Sequence, residues 1–243
     1  MDRRGALRLR VRQAGVMVGS LDCGRVMAAG AGWAWLRNGA QVVHLTGAGG
    51  PRGPVTAIVA RVPLLRAGQC VGLDLTDAEP WRTPLPPPPA DPELVAGACE
   101  AARPHAWNDP RALELGTRPL VESAFDLAGR GPGLTPAGDD ALAGYLLARR
   151  ALDPAGARAE AAVVLTVARR ETGQPARSLL RAAARGEAFE PVGAMLAVLL
   201  RADGPALAPA LRRLSALGAT TGRAALTGLL RGLDGYAVPR RGR

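Results

Sequence analysis

The sequence predicts an α+β chain: a β-rich N-terminal domain, barrel- or sandwich-like, followed by a mostly α-helical C-terminal domain. Three observations carry this. Residues 5–78 hold short apolar runs separated by glycine-rich turns. A proline-dense stretch, Glu79 to Pro92, then interrupts the chain. Beyond it apolar residues recur at helical spacing, and Gly and Pro fall about a helix length apart. The expected organisation is a β-rich domain over 1–78, a linker over 79–92 and a helical domain over 93–243.

In chain order, Ala6 to Val11 alternates apolar residues with arginines, as a half-buried strand does. Val16–Val18 and Arg25–Met27 are further short strand candidates. Trp33–Leu36 and Gln41–Leu45 flank Asn38-Gly39, a hairpin signal because a type I′ turn needs positive φ at both central residues. Val55–Val62 and Gln69–Leu75 complete the strand candidates. Between them, Gly47 to Pro54 is glycine-rich but lacks the Gly-Lys-Ser/Thr ending of a phosphate loop, and a strand follows it; it reads as a wide hairpin loop. His44 reads as a structural strand histidine. The prolines at 84, 86–89 and 92 favour an extended spacer. Helices are expected over roughly 92–103, 109–128, 139–152, 155–171, 175–186, 189–203, 205–217 and 221–233.

Composition narrows the function classes. The chain has 243 residues, 48% hydrophobic and 3% aromatic, so its core is built from Ala, Leu and Val. The net charge of +10 comes from 31 basic residues, every one an arginine. These are scattered or gathered at the ends (Arg3, Arg4, Arg8, Arg10, Arg12; Arg240, Arg241, Arg243), where solvated or disordered tails are the usual case, without interleaved aromatics, which reads as codon bias rather than a nucleic-acid surface. Cys23, Cys70 and Cys99 form no paired motif and read as free, mostly buried thiols in a reducing cytosol. Two histidines, His44 and His105, rule out a His-rich metal site. The N-terminus has no secretory pattern, and the apolar run Val192–Leu200 is too short to span a bilayer. The expectation is a cytoplasmic protein with no membrane partner.

The chemistry-bearing stretch is Gly129 to Asp140, with four glycines, two prolines, a threonine and an Asp-Asp pair in twelve residues. Such a loop is rigid, and feeding a helix start it offers backbone N–H groups to an anion. The acids suit the positive end of a helix dipole but would repel a bare phosphate. Two more loops share its character: Thr172 to Ser178, and Gly218 to Arg223. Helix capping by Ser178 and Thr221 is the plain reading of those two; the first loop holds more than a cap requires.

Gly-Pro-Gly-Leu-Thr-Pro-Ala-Gly-Asp-Asp at 131–140, with the two later loops in order, resembles the DUF2877 family, which includes the AllH-type subunit of oxamate carbamoyltransferase. The resemblance covers most of residues 93–233, and the β-rich part more weakly. It implies a subunit of a multi-subunit enzyme that makes oxamate and carbamoyl phosphate from oxalurate and phosphate in anaerobic allantoin breakdown. The matching positions make Asp139 and Asp140 candidate catalytic residues. They make Gly131, Gly133, Leu134, Thr135, Gly138, Thr172, Arg177, Ser178, Thr220, Thr221 and Gly222 candidate substrate contacts. Ala137 departs from the family, which commonly has serine there, and Thr221 stands where serine is common.

Such substrates are small planar anions, which need N–H donors, hydroxyls and an arginine fork. Gly131, Gly133 and Thr135 could supply the first two, and Arg177 or else Arg223 the fork. Asp139 or Asp140 could hold Mg²⁺ that bridges to phosphate, accept from a substrate amide, orient an arginine, or act as a general base. Alternatively, the chain is a non-catalytic assembly or anion-binding subunit, or a member of the family with a different substrate.

Overall fold

The computed structural model describes residues 7–19, 21–84 and 86–237. Ala6 and the terminal arginines Arg3, Arg4, Arg240, Arg241 and Arg243 lie outside them. The chain divides into two compact units, the first ending at Thr83 and the second beginning at Pro84.

In the first unit, six strands close into a small barrel. They are β1 (Leu7–Gly15), β2 (Leu21–Gly30), β3 (Trp33–Asn38), β4 (Gln41–Thr46), β5 (Thr56–Val59) and β6 (Cys70–Asp74). The order β5-β4-β3-β2-β6-β1 is closed by an antiparallel β1–β5 pairing, Val11 opposite Val59. Closure removes the exposed edges of an open sheet. Alternation drives it: Val11, Leu36, Leu45, Val59, Val71 and Leu73 all face the interior, while Arg8, Arg10 and Arg12 face solvent. Bulges in β1 and β2 supply the curvature. A short β7 (Glu79–Trp81) pairs with Gln13–Gly15 of β1, so the sheet takes in the start of the stretch read as linker.

Several expectations need correction. Val16–Val18 is a turn rather than a strand, although the Val16 and Met17 amides donate to Trp81 and Pro54 carbonyls. The β3–β4 hairpin exists, but Asn38 is its last paired residue; the turn is Gly39-Ala40, and Gly39 alone takes positive φ. Residues 47–54 do not close a hairpin, because β4 and β5 run parallel. Cys23 and Cys70 are not free thiols. They form a disulfide across neighbouring β2 and β6, with Cα atoms 5.6 Å apart; the β2 bulge between Leu21 and Gly24 lets Cys23 reach its partner on the solvent side. Cys99 is free and buried, and burial pushes its thiol up to about 12.

The second unit is helical: α1 (Pro92–Ala102), α2 (Pro110–Leu113), α3 (Leu120–Leu127), α4 (Ala137–Leu152), α5 (Gly156–Glu171), α6 (Gln174–Ala183), α7 (Glu190–Arg201), α8 (Gly204–Ser215) and α9 (Thr221–Ala237). The single helix expected over 109–128 is broken into α2 and α3. Gly116, at φ +85°, and Pro119 stop it. At the centre α4 lies against α9, with α3, α5 and α6 on the α4 side and α1, α7 and α8 on the α9 side. Their contact is nearly backbone to backbone. A methyl group on Gly228 would strike the Ala141 carbonyl, and one on Gly144 the Ala225 carbonyl. With so few aromatics, the core gains contact by close approach of small residues rather than by bulk. Among the described residues no helix is long and apolar enough to cross a membrane.

Candidate functional site

The acid pair enters the structure through the first turn of α4. That helix starts at Ala137, two residues earlier than the pattern suggests, so Gly138, Asp139 and Asp140 are helical. Pro136 precedes it with its φ already near the helical value, and no side chain caps it. Gly138 is forced by crowding, since any Cβ there would meet the Leu127 carbonyl. The acids then sit at the positive end of the α4 dipole, yet both are buried, Asp139 at 2% and Asp140 at 4% exposure.

Each acid ties α4 to another loop. Asp139 Oδ2 accepts from the Gly129 amide at 3.1 Å and from the Thr172 hydroxyl at 2.6 Å. One carboxylate therefore joins the start of the 129–140 loop to the α5–α6 junction. Asp140 takes a side-chain hydrogen bond from Thr221, at the start of α9. The three loops singled out in the sequence thus converge on Asp139-Asp140. Burial pushes Asp139 above the ordinary carboxylate range, opposed by its bonds to Thr172 and Gly129. Burial pushes Asp140 well above it, opposed by Thr221 and reinforced by the Asp139 charge. A raised pKa favours the protonated form, which can donate a hydrogen bond.

The other candidates divide. The 131–133 tip is exposed; Gly131 and Gly133 need their positive φ of +113° and +92°, while Leu134 and Thr135 are half-buried. The anion cradle expected at the helix start is largely filled: Gly138 N–H donates to the Arg130 carbonyl, Asp139 and Asp140 N–H to that of Pro136. Ser178 is no cap; it is buried inside α6, whose N-cap is Gly173. Thr220 is exposed, and Gly222 is packed against the Leu214 carbonyl. Neither arginine is oriented by the acids. Arg177 donates to the Arg169 carbonyl at the end of α5, and Arg223 to the Ala106 carbonyl.

Beside Asp140 lies a pocket of about 30 Å³, lined by Glu187, Phe189, Val192, Leu179 and Thr221 among others. Glu187, buried at 8% exposure, brings a second carboxyl to it; it follows Gly186 in a polar turn, and nothing in its sequence context marks it. Among the described residues, Asp139 Oδ1 and Asp140 Oδ2 have no hydrogen-bond partner. No group of three or more His, Cys, Asp or Glu side chains gathers among the described residues, so a Mg²⁺ held here would rest on the two acids together with waters and substrate phosphate.

Residues 127–233, which include all three loops, match the model of the family described as oxamate carbamoyltransferase subunit AllH. No curated protein and no solved structure matches the chain.

Proposed function

Taking the similarity of residues 127–233 to the oxamate carbamoyltransferase subunit AllH family as premise, we propose that the chain is a subunit of a carbamoyltransferase. Its reaction moves a carbamoyl group between oxalurate or oxamate and phosphate. The observation that carries this reading is the junction of the three family-matched loops through Asp139 and Asp140. Asp139 clamps the loop base. Burial shifts Asp140 toward its protonated form, in which it can donate a hydrogen bond. The rigid 131–133 tip presents exposed backbone N–H groups, and Thr135 a hydroxyl, to a planar anion.

The pocket beside Asp140 is far too small for oxalurate. Substrate therefore meets this chain at the exposed tip, where another subunit completes the site. That same smallness favours a second reading, in which the loops serve assembly and the chemistry belongs wholly to the partners.

The test is phosphate-dependent cleavage of oxalurate by the chain alone and with its partner subunits. Activity only in the mixture is expected, reduced by Thr135→Val. Full activity of Thr135→Val and Asp140→Asn mixtures supports the assembly reading. No activity in any combination sinks the carbamoyltransferase assignment.

A further inference from the structure

A second cavity of the helical unit, about 460 Å³, is remote from the acid pair in helical phase. It is lined by Arg103, Trp107, Leu113, Arg223, Leu230 and Arg231, among others. On α9, Arg223, Thr227, Leu230 and Arg231 follow helical spacing and share one face. Thr221, Ala225, Gly228 and Gly232 share the opposite face, the one turned to α4 and Asp140. We propose that this cleft binds a small amphipathic oxyanion, a carboxylate or phosphate head on a planar apolar body. The proposal is independent of the transferase reading.

Charge selects the head. Among the described residues no acid lines the cleft. Arg231 pairs with Asp234 at 2.7 Å, and Arg103 with Glu100 at 2.7 Å and Asp234 at 3.7 Å. Three cations thus face two acids, and the surplus sits on Arg223. That guanidinium makes one hydrogen bond, to the Ala106 carbonyl at 3.2 Å, and pairs with no carboxylate among the described residues. Four of its five N–H donors remain in a fork that suits an oxyanion.

The walls select the body. Trp107 supplies one wall, and its main chain is anchored: its amide donates to Thr227 Oγ1 at 2.8 Å and to the Arg223 carbonyl at 3.1 Å. The Thr227 hydroxyl reaches the Trp107 carbonyl at 3.0 Å, and Thr227 is only 1% exposed. This buried threonine and the Arg223–Ala106 bond fix the Trp107 main chain and the guanidinium relative to each other before any ligand arrives. Leu113 and Leu230 extend the apolar surface. Pockets of this volume, largely apolar with a few placed polar groups, suit small ligands, and pre-organisation lowers the cost of binding.

The test is calorimetric titration of the full chain with benzoate, phenyl phosphate, inorganic phosphate and benzamide, the last a neutral isostere of benzoate. Saturable 1:1 binding of benzoate or phenyl phosphate is expected, with benzamide at least about tenfold weaker. Whichever anion binds more tightly identifies the head. Arg223→Gln is expected to bring the anion down to the benzamide level, while Arg212→Gln, an exposed change on α8, leaves it alone. The proposal is overturned by no binding of either aromatic anion at millimolar concentration, or by benzamide binding as tightly as benzoate. Inorganic phosphate matching phenyl phosphate, or indifference to Arg223→Gln, overturns it equally. The wild-type comparison of benzoate with benzamide decides the matter even where Arg223→Gln fails to fold.

Discussion

Asp139→Ala is expected to destabilise the helical unit by about 2 kcal/mol, and the figure follows from the clamp. The carboxylate accepts from the Gly129 amide and from Thr172 Oγ1. Hydrogen bonds to a charged acceptor contribute about 1.5–3 kcal/mol each. Against that stands the burial of the charge, which raises the Asp139 pKa. The freed donors are half-buried and regain some water, so the net loss settles well below the sum of the two bonds. For a unit of this size about 2 kcal/mol lowers Tm by about 4–8 °C. Asp139→Asn keeps an oxygen for both donors and removes the charge, and its cost should stay under about 0.5 kcal/mol.

The pH dependence has a fixed sign. Because the folded pKa is raised, native and unfolded states are both protonated below about pH 4, and no penalty exists there. As pH rises through the folded pKa the native state must ionise a buried acid, and wild type loses stability. Asp139→Asn lacks that loss, so it should gain on wild type as pH rises. Urea unfolding followed by far-ultraviolet circular dichroism, from pH 4 to 8, measures all three proteins. An alanine variant within 0.5 kcal/mol of wild type would refute the clamp. So would an asparagine variant as damaged as the alanine one.

Gly228→Ala should cost about 2–3 kcal/mol or prevent folding, since its methyl would occupy the Ala141 carbonyl position; a Tm equal to wild type would show that α4 and α9 are further apart. Thiol titration in denaturant without reductant should find one reactive cysteine, Cys99, of the three in the chain; three would mean that Cys23 and Cys70 are unjoined. His44, its ring 4.9 Å from that of Trp35, is held down to about 4 by burial. The unfolded state therefore takes up the proton first, and His44 costs stability as pH falls from about 6.5 to about 4; a His44 imidazole resonance titrating near 6.5 would contradict this.

What the sequence made legible was local. Arginine alternation marked β1, and Gly and Pro marked most helix ends, because such signals act within a few residues. The helix break at Gly116 and Pro119 was equally local, but an apolar pattern running from Ala112 to Leu127 masked it. What stayed hidden depends on partners distant in sequence. Parallel pairing of β4 with β5, the β7 pairing with β1 and the Cys23–Cys70 bond have no local signature. The same divide runs through the site. Residue types and order picked out Asp139, Asp140, Thr172 and Thr221, which the fold brings together. Their burial was invisible, and so was the commitment of Arg177 and Arg223 to backbone carbonyls elsewhere. Nothing local marked Thr227, and only the return of Trp107 onto α9 gives its hydroxyl a purpose.

The contact of α4 with α9 through bare backbone has a mechanical consequence. Helices separated by long side chains can slide, because rotamers take up small displacements. Gly144, Gly228 and Gly232 leave no such cushion, and a small axial shift would drive peptide groups into one another. The two helices behave as one stiff spar with the acid pair at one end. Opening or closing motions of this unit must then hinge in the peripheral helices and their loops, with the spar as the fixed frame against which they move.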